Sequence, residues 1–280
     1  MTVEVRPPRR DEAEAIVEAY NAATQSLYGT AETSLDDLVL WFDSPSLDTE
    51  RDAVVALLPD GRVGAYADIT DVSQKHADYH TDLRFRPGRE ELAGRLLDAM
   101  ERRARETALD SAELRGFADA RDEAARRVFE SRGYAPVRHS FRMLIDLDPP
   151  PPPPEWPDGI AVREFRPGEE DERVYEVHME AFADMWAFTR SPYEEWRFWM
   201  MREPFDPTLW FLACDGEEIA GFCLAGRTRS AIPASAGSHR SALAVHGAAE
   251  GSASRSFVMP SRSSAAAGSA RSGSAWTRRA

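Results

Sequence analysis

Few residues in this chain stand at spacings that could do chemistry unaided. Asp68 and Asp71 follow a predicted strand hairpin, and Glu194 and Glu195 lie side by side on a predicted helix. A carboxylate beside an amine can act as a general base, but a solvated helix face accounts for the glutamates equally well. His76, His80, His139 and His178 fall in no metal-ligand spacing, so no metal site is expected. Cys214 and Cys223 flank a predicted turn and form neither a metal motif nor a disulfide framework; they read as reduced, buried thiols. No residue is assigned a catalytic role on these grounds.

Composition narrows the partners. The 280-residue chain is 42% apolar and 29% charged, ordinary for a globular protein. It has no apolar run of the ~20 residues that cross a bilayer. Its first residues, Met1 to Arg6, mix charges and show no export signal. No membrane partner and a cytoplasmic location are expected. The net charge of −14 is unevenly spread: residues 226–280 hold eight arginines and one acid, Glu250, giving +7, so residues 1–225 carry −21. Such an acidic body repels phosphate, so no nucleic-acid partner is expected. It suits a cationic or amine substrate.

The clearest boundary is the six-proline run from Pro149 to Pro154, a stiff rod that neither a helix nor an inner strand can traverse. The sequence restarts after it. Val3 to Pro7 reads as a strand followed by an acidic helix from Asp11 to about Ala23; Ile160 to Phe165 and a helix from Asp171 to Phe182 repeat that order. Ala53 to Leu58 and Val63 to Ala67 form a hairpin about Asp60-Gly61, and Leu209 to Cys214 with Ile219 to Leu224 repeat it about Asp215-Gly216. Arg6 and Arg163 are 157 apart and Gly61 and Gly216 are 155 apart, a spacing that indicates an internal duplication. The first half continues with strand 78–85, a long amphipathic helix 90–106 whose Leu92, Leu96, Leu97 and Met100 share a face, strand 111–117, helix 122–131 stopped at Gly133, and strand 140–147.

This order, and the segment Ala125, Val128, Phe129, Glu130, Gly133, Tyr134, resembles the GCN5-related N-acetyltransferase family and its N-x-x-A-x-x-L-Y-E-x-x-G-F signature. The tandem layout is similar to the mycothiol synthase branch. The resemblance implies an α/β fold of tandem mixed-sheet domains and acetyl transfer from acetyl-CoA to a small amine. The mechanism it implies is direct attack by the deprotonated amine, with the thioester oxygen polarised by a backbone amide. It places the cofactor on Leu83, Phe85, Arg86 and Arg89, with its pyrophosphate at the start of the long helix. The aromatic stretch 185–211 would lie on the acceptor side, although Trp196, Trp199 and Met200 are also spaced as a helical core.

The first domain departs from the family pattern. Gly88, Glu91 and Ala93 occupy the arginine and two glycine positions of R/Q-x-x-G-x-G/A, and only the alanine fits. Glu90 and Glu91 would sit beside a pyrophosphate, and Phe129 replaces the tyrosine that protonates the leaving thiolate. The expectation is a first domain without catalysis that supports the second. A non-catalytic ligand-binding or interaction protein is the alternative.

After Ala225, where the second domain's cofactor loop should follow, Ser, Ala, Gly and Arg fill 41 of the 55 positions from Gly226 to Ala280. That composition cannot bury a core. It is also what GC-rich coding sequence yields out of frame. Pairing the third base of each codon with the first two of the next permits V-G-x-R-R-P-W-R-R-R-G-L-G-L-A-L-L-R-H from Arg240. This reading contains the family's cofactor loop, R-R-R-G-L-G, followed by an apolar helix. The expected organisation is an acetyltransferase-like domain over 1–148, a linker over 149–158, half of a second domain over 159–225, and a disordered, out-of-frame tail over 226–280. In this form the chain is expected to be inactive.

Overall fold

The computed structural model describes residues 3–110, 112–141, 149–150, 152–226, 244–245 and 272–279. The first part holds β1 (Val5–Arg6), α1 (Ala13–Tyr28), α2 (Leu35–Phe42), β2 (Ala53–Leu57), β3 (Val63–Asp71), β4 (Asp78–Phe85), α3 (Glu90–Thr107), β5 (Glu113–Asp119), α4 (Glu123–Ser131) and β6 (Ala135–Phe141). The second holds β7 (Ile160–Glu164), α5 (Asp171–Ala181), α6 (Tyr193–Met200), β8 (Trp210–Asp215), β9 (Glu218–Leu224) and the short β10 (Ala244–Val245). The last strand, β11 (Ser272–Arg279), belongs to the first part again. The chain forms two compact units. Pro149, Pro150 and residues 152–159, early in the second unit, carry neither helix nor strand.

Unit 1 is a seven-stranded mixed sheet in the order β1-β2-β3-β4-β5-β11-β6. α1 and α2 cover one face through Ile16, Tyr20, Leu38 and Phe42, which pack on Val55, Val63 and Tyr66. α3 and α4 cover the other. The predicted stripe Leu92, Leu96, Leu97 and Met100 is buried against Ala65, Ala67, Leu83 and Phe85, joined by Val128 and Phe129. Asp122 caps α4 by accepting from the amide of Ala125 at 2.8 Å. Gly133, at φ 78°, ends the helix in a left-handed conformation that a β-carbon disfavours.

The sequence misplaces several edges. α1 runs to Tyr28 rather than Ala23, because no breaker precedes Gly29 at φ 71°. β5 is shifted two residues along. The closing strand covers Ala135–Phe141; residues 142–148, where most of the expected strand 140–147 falls, lie outside the described residues. Most of the expected disordered tail also lies outside them. Its described segments beyond Gly226, Ala244–Val245 and Ser272–Arg279, are both strands.

Unit 2 is a four-stranded sheet, β10-β9-β8-β7, under α5 and α6. Its core joins Phe165, Val174, Tyr175, Trp196, Trp210, Leu212 and Phe222. The aromatic stretch thus packs in large part on its own unit's sheet, as the helical spacing of Trp196 and Met200 suggests. Trp186 and Phe211 remain exposed.

The duplication persists in strand register. Val5 pairs with Ala56 and Arg6 with Val55; Val162 pairs with Ala213 and Arg163 with Leu212, each residue 157 positions on. Both hairpins shift register after the same place, Ala56/Leu57 and Ala213/Cys214. In each unit the first strand's arginine grips a glutamate ahead of the following helix. Arg6 donates to Glu12 at 2.8 and 2.5 Å, and Arg163 to Glu170 at 2.8 and 2.6 Å. These two-point, charge-assisted contacts are of the stronger kind.

Glu170 also accepts from the Arg166 amide and guanidinium, at 3.1 and 3.0 Å. The Arg163 guanidinium, above all, holds its carboxyl down at about 2. A lowered folded value means that the added stability is complete above the ordinary carboxylate range and is lost as the pH falls toward about 2. Arg163→Met should therefore cost unit 2 about 1–2 kcal/mol at neutral pH, allowing for screening of the part-exposed guanidinium. Urea titrations at pH 7 and pH 3 should show a smaller deficit at pH 3; an equal deficit at both would mean that packing, not charge, carries the effect.

Candidate cofactor cleft and the acid cluster beside it

β4 and β5 are parallel and share register only from Asp78↔Glu113 to Thr81↔Gly116. Beyond that point β4 continues to Phe85 paired with β3 alone, and β5 continues to Asp119 paired with β11. The two central strands part. Alternate residues of a paired strand turn their main-chain groups toward the same neighbour. Arg86 donates its amide to the Gly64 carbonyl at 2.9 Å, and the Asp78 carbonyl accepts from the Val72 amide at 2.9 Å. The even-numbered residues of β4 therefore face β3. Leu83 and Phe85 turn their N–H and C=O groups to the opposite edge, where β5 has moved away.

This fixes how the four expected cofactor residues lie. The side chains of Leu83 and Phe85 are buried beneath α3, so only their backbone faces the cleft. Arg86 is engaged elsewhere: Nε donates to the Val63 carbonyl at 2.8 Å and Nη2 to Glu18 at 3.1 Å. Arg89 is exposed at the start of α3, and its carbonyl accepts from the amides of Leu92 and Ala93. Gly88, at φ 74°, makes the turn into the helix. Glu90 and Glu91 form the first turn, and Glu91 pairs with Arg95 at 2.6 Å. Phe129 is fully buried with its ring over Gly116, the last β5 residue before the strands part. A β-carbon at Gly116 would collide with that ring.

α1 spans the parting. The Tyr20 hydroxyl donates to Asp82 on β4 at 2.5 Å, and the Tyr28 hydroxyl donates to Asp119 on β5. Asp119 also accepts from the Arg121 amide at 2.9 Å, and the Arg121 guanidinium lies 5.1 Å from the centre of the Tyr28 ring. Sequence reading missed both tyrosines. Their trace was two polar-tipped rings eight residues apart on a helix with one buried face, with nothing local to name their partners.

Of the carboxylates singled out from sequence, Asp68 is buried and Asp71 is not. Asp71 closes a turn, accepting from Ser73 and from the His76 amide. Asp68 stands opposite Asp82 across the β3–β4 ladder. Its Oδ2 accepts from Tyr66 at 2.7 Å and from the Trp41 indole at 2.6 Å. Arg84 pairs with Asp82 at 3.0 Å and lies 5.4 Å from the Tyr20 ring centre. Burial, then the charge of Asp82, pushes the Asp68 carboxyl up to about 7.

Several other candidates are buried or engaged by neighbouring side chains. Glu195 accepts from the Trp199 indole at 2.7 Å. The Trp196 indole donates to His178 Nδ1 at 2.6 Å, and burial lowers that imidazole to about 4, leaving it neutral. Cys214 is buried, and burial raises the half-buried Cys223 thiol. Among the described residues no three His, Cys, Asp or Glu side chains form a metal site, and no helix is long and apolar enough to cross a membrane.

A mixed sheet whose central parallel strands part beneath the start of a long helix defines an acetyltransferase-like α/β protein. No family profile matches the chain. A GCN5-related N-acetyltransferase from Sphaerobacter thermophilus is 30% identical, with a TM-score of 0.66 over 81% of this chain and 72% of that one. The mycothiol acetyltransferase of Catenulispora acidiphila is 35% identical over 134 residues, covering 48% of this chain and 42% of that protein. The one from Streptomyces griseus is 30% identical over 178 residues, covering 59% and 53%. The chain spans about two-fifths to one-half of the length of these curated relatives. It belongs to the GCN5-related N-acetyltransferase family.

Asp68 gives this unit a predictable response to pH. A folded value raised to about 7 means that its contribution is complete below the ordinary carboxylate range and is lost as the pH rises through about 7. Unit 1 should resist urea better at pH 5.5 than at pH 8.5. Asp68→Asn, which keeps an acceptor for Tyr66 and Trp41, should flatten that difference; an unchanged pH slope would place the titrating group elsewhere.

Proposed function

We propose that unit 1 is a cofactor-holding, non-catalytic half of an N-acetyltransferase whose family reaction moves an acetyl group from acetyl-CoA to a small amine. One observation carries the reading: the cleft beyond Thr81 and Gly116 has, on one side, a main-chain edge that pairs with no strand among the described residues, and a buried phenylalanine in place of an acid. When bound, acetyl-CoA would supply the acetyl thioester. The main-chain groups of Leu83 and Phe85 suit the amides of its extended arm, much as an added strand would. Gly88 lets the backbone turn into α3, whose first amides and Arg89 suit the pyrophosphate. Glu90 and Glu91 oppose it by like charge, so weak binding is expected. Phe129 has no proton for a leaving thiolate.

The curated relatives are named for mycothiol, so an acceptor amine of that kind is the first to try, and the acidic body favours a cation. The tandem layout read from the sequence and the repeated register of β7, β8 and β9 support assigning acyl transfer to the second unit, whose cofactor loop the out-of-frame stretch after Ala225 would replace here. A cytoplasmic location, with neither membrane nor nucleic acid as partner, belongs to the same reading.

Calorimetry with acetyl-CoA, run beside a thiol-release assay with a small primary amine, tests it. Binding without amine-dependent thiol release is expected. Glu90→Gln with Glu91→Gln should tighten binding about tenfold, roughly 1.4 kcal/mol, and Arg89→Glu should weaken it. Absence of binding would remove the cofactor role, and amine-dependent thiol release abolished by changes in the β4–β5 cleft would make unit 1 catalytic.

A further inference from the structure

Beyond Thr81, β4 is laddered on one side only among the described residues: β3 holds it from Asp82 to Phe85, and its other edge leads into the cleft. The place of that edge at Leu83 is therefore set by β3 and by what grips the side chains on either face. Beneath α3 the grip is apolar, through Leu83 and Phe85. On the α1 face it falls to Asp82. Its Oδ2 accepts from the Tyr20 hydroxyl at 2.5 Å. Its Oδ1, buried and out of line for a hydrogen bond, lies 3.0 Å from the Arg84 guanidinium. Directly across the ladder stands a second carboxyl, Asp68. Like charges directly opposite each other destabilise a strand pair, and Arg84 is the one guanidinium that pairs with either of them.

We propose that Asp82 is a positioning residue for the cofactor cleft, holding the open edge of β4 in place while a proton on Asp68 keeps the facing carboxyls at one negative charge; the role presupposes the cofactor reading of that cleft. The two carboxyls are not anchored alike. Asp68 lies on a strand laddered on both sides, by β2 and β4. The Trp41 indole from α2 and the Tyr66 hydroxyl grip it at 2.6 and 2.7 Å. Asp82 lies where β4 has lost its second neighbour. Repulsion between them therefore moves Asp82, and with it the backbone of Leu83. The other groups on this face do not absorb the charge. Burial raises the Tyr20 and Tyr66 phenols well above their ordinary range, so both remain donors. Arg84 keeps its charge, and Asp122, ahead of α4, also draws on it. His80, two residues before Asp82 on the same strand, is lowered by burial to about 4 and is neutral. Burial and the charge of Asp82 push Asp68 up to about 7, so its proton is lost near neutral pH. The edge is in place below that value and displaced above it. By linkage, bound cofactor helps Asp68 keep its proton.

Carboxyl and amide chemical shifts of the full, isotope-labelled chain, followed from pH 5.5 to pH 8.5 without ligand, test the coupling. The Asp68 carboxyl and the amides of Leu83 and Phe85 should share one midpoint near 7, and Asp68→Asn should leave those two amides flat. Calorimetry adds the functional readout. Acetyl-CoA affinity should fall from pH 6 to pH 8.5 by at least about fivefold more in the wild-type chain than in Asp68→Asn, which carries the cofactor's own phosphate titration. Tyr20→Phe, which frees Asp82 from α1, should bind at pH 6 about as weakly as the wild-type chain does at pH 8.5. An Asp68 carboxyl that titrates while the Leu83 and Phe85 amides stay still would overturn the inference. Equal pH dependence of binding in the wild-type chain and Asp68→Asn would overturn it too. Absence of binding at both pH values would instead overturn the cofactor reading, since the ligand-free titration reports on the edge by itself.

Discussion

The first unit depends on one constraint: β4 and β5 are joined by only four residues of parallel register, ending at Thr81 and Gly116. Parted strands form a fork, and the surrounding elements hold its two arms from different sides. α1 holds the two arms by hydroxyl bonds, Tyr20 to Asp82 and Tyr28 to Asp119. Phe129 lies over Gly116 and fills the base of the fork, where only glycine leaves room for it. β11 takes the outer edge of β5. What remains open is the inner edge of β4 at Leu83 and Phe85, leading to Gly88 and the start of α3.

The same economy appears twice in the chain. Each unit begins with a strand whose arginine grips a glutamate ahead of the next helix, and each follows with a hairpin that shifts register at the same place. The turn differs: the first hairpin has five residues between Leu57 and Val63, the second four between Cys214 and Ile219. Conserving the ladder while shortening the turn is the pattern expected when strand register is held by a buried face and the loop is not. Unit 1 has the parted strands and the helix start, with Glu90 and Glu91 in the first turn of α3 and Phe129 buried over Gly116.

Much of this was legible in the sequence because the informative signals are local. The stripe along α3, the Asp-Gly hairpins, the proline run and the matched offsets all follow from periodicity or turn chemistry within a few residues. What was not legible is long-range. Asp68 and Asp71 look equivalent in sequence; only the β3–β4 register shows that one is buried opposite Asp82 while the other closes a turn. Tyr20 and Tyr28 have partners more than 60 and 90 residues away. Arg86 looked available for a phosphate and is engaged by Val63 and Glu18. The tail's composition speaks only to a core, whereas β11 offers a backbone, which composition does not measure.

The central claim is that the open edge of β4 is a cofactor cleft. Amide chemical shifts recorded while acetyl-CoA is titrated into the isotope-labelled chain test it most directly. The account predicts perturbations centred on Leu83, Phe85, Gly88 and the first turn of α3, with Arg6 and the β1–β2 ladder unmoved. Perturbations confined to β7–β9, or none at concentrations that saturate an active relative, would contradict it.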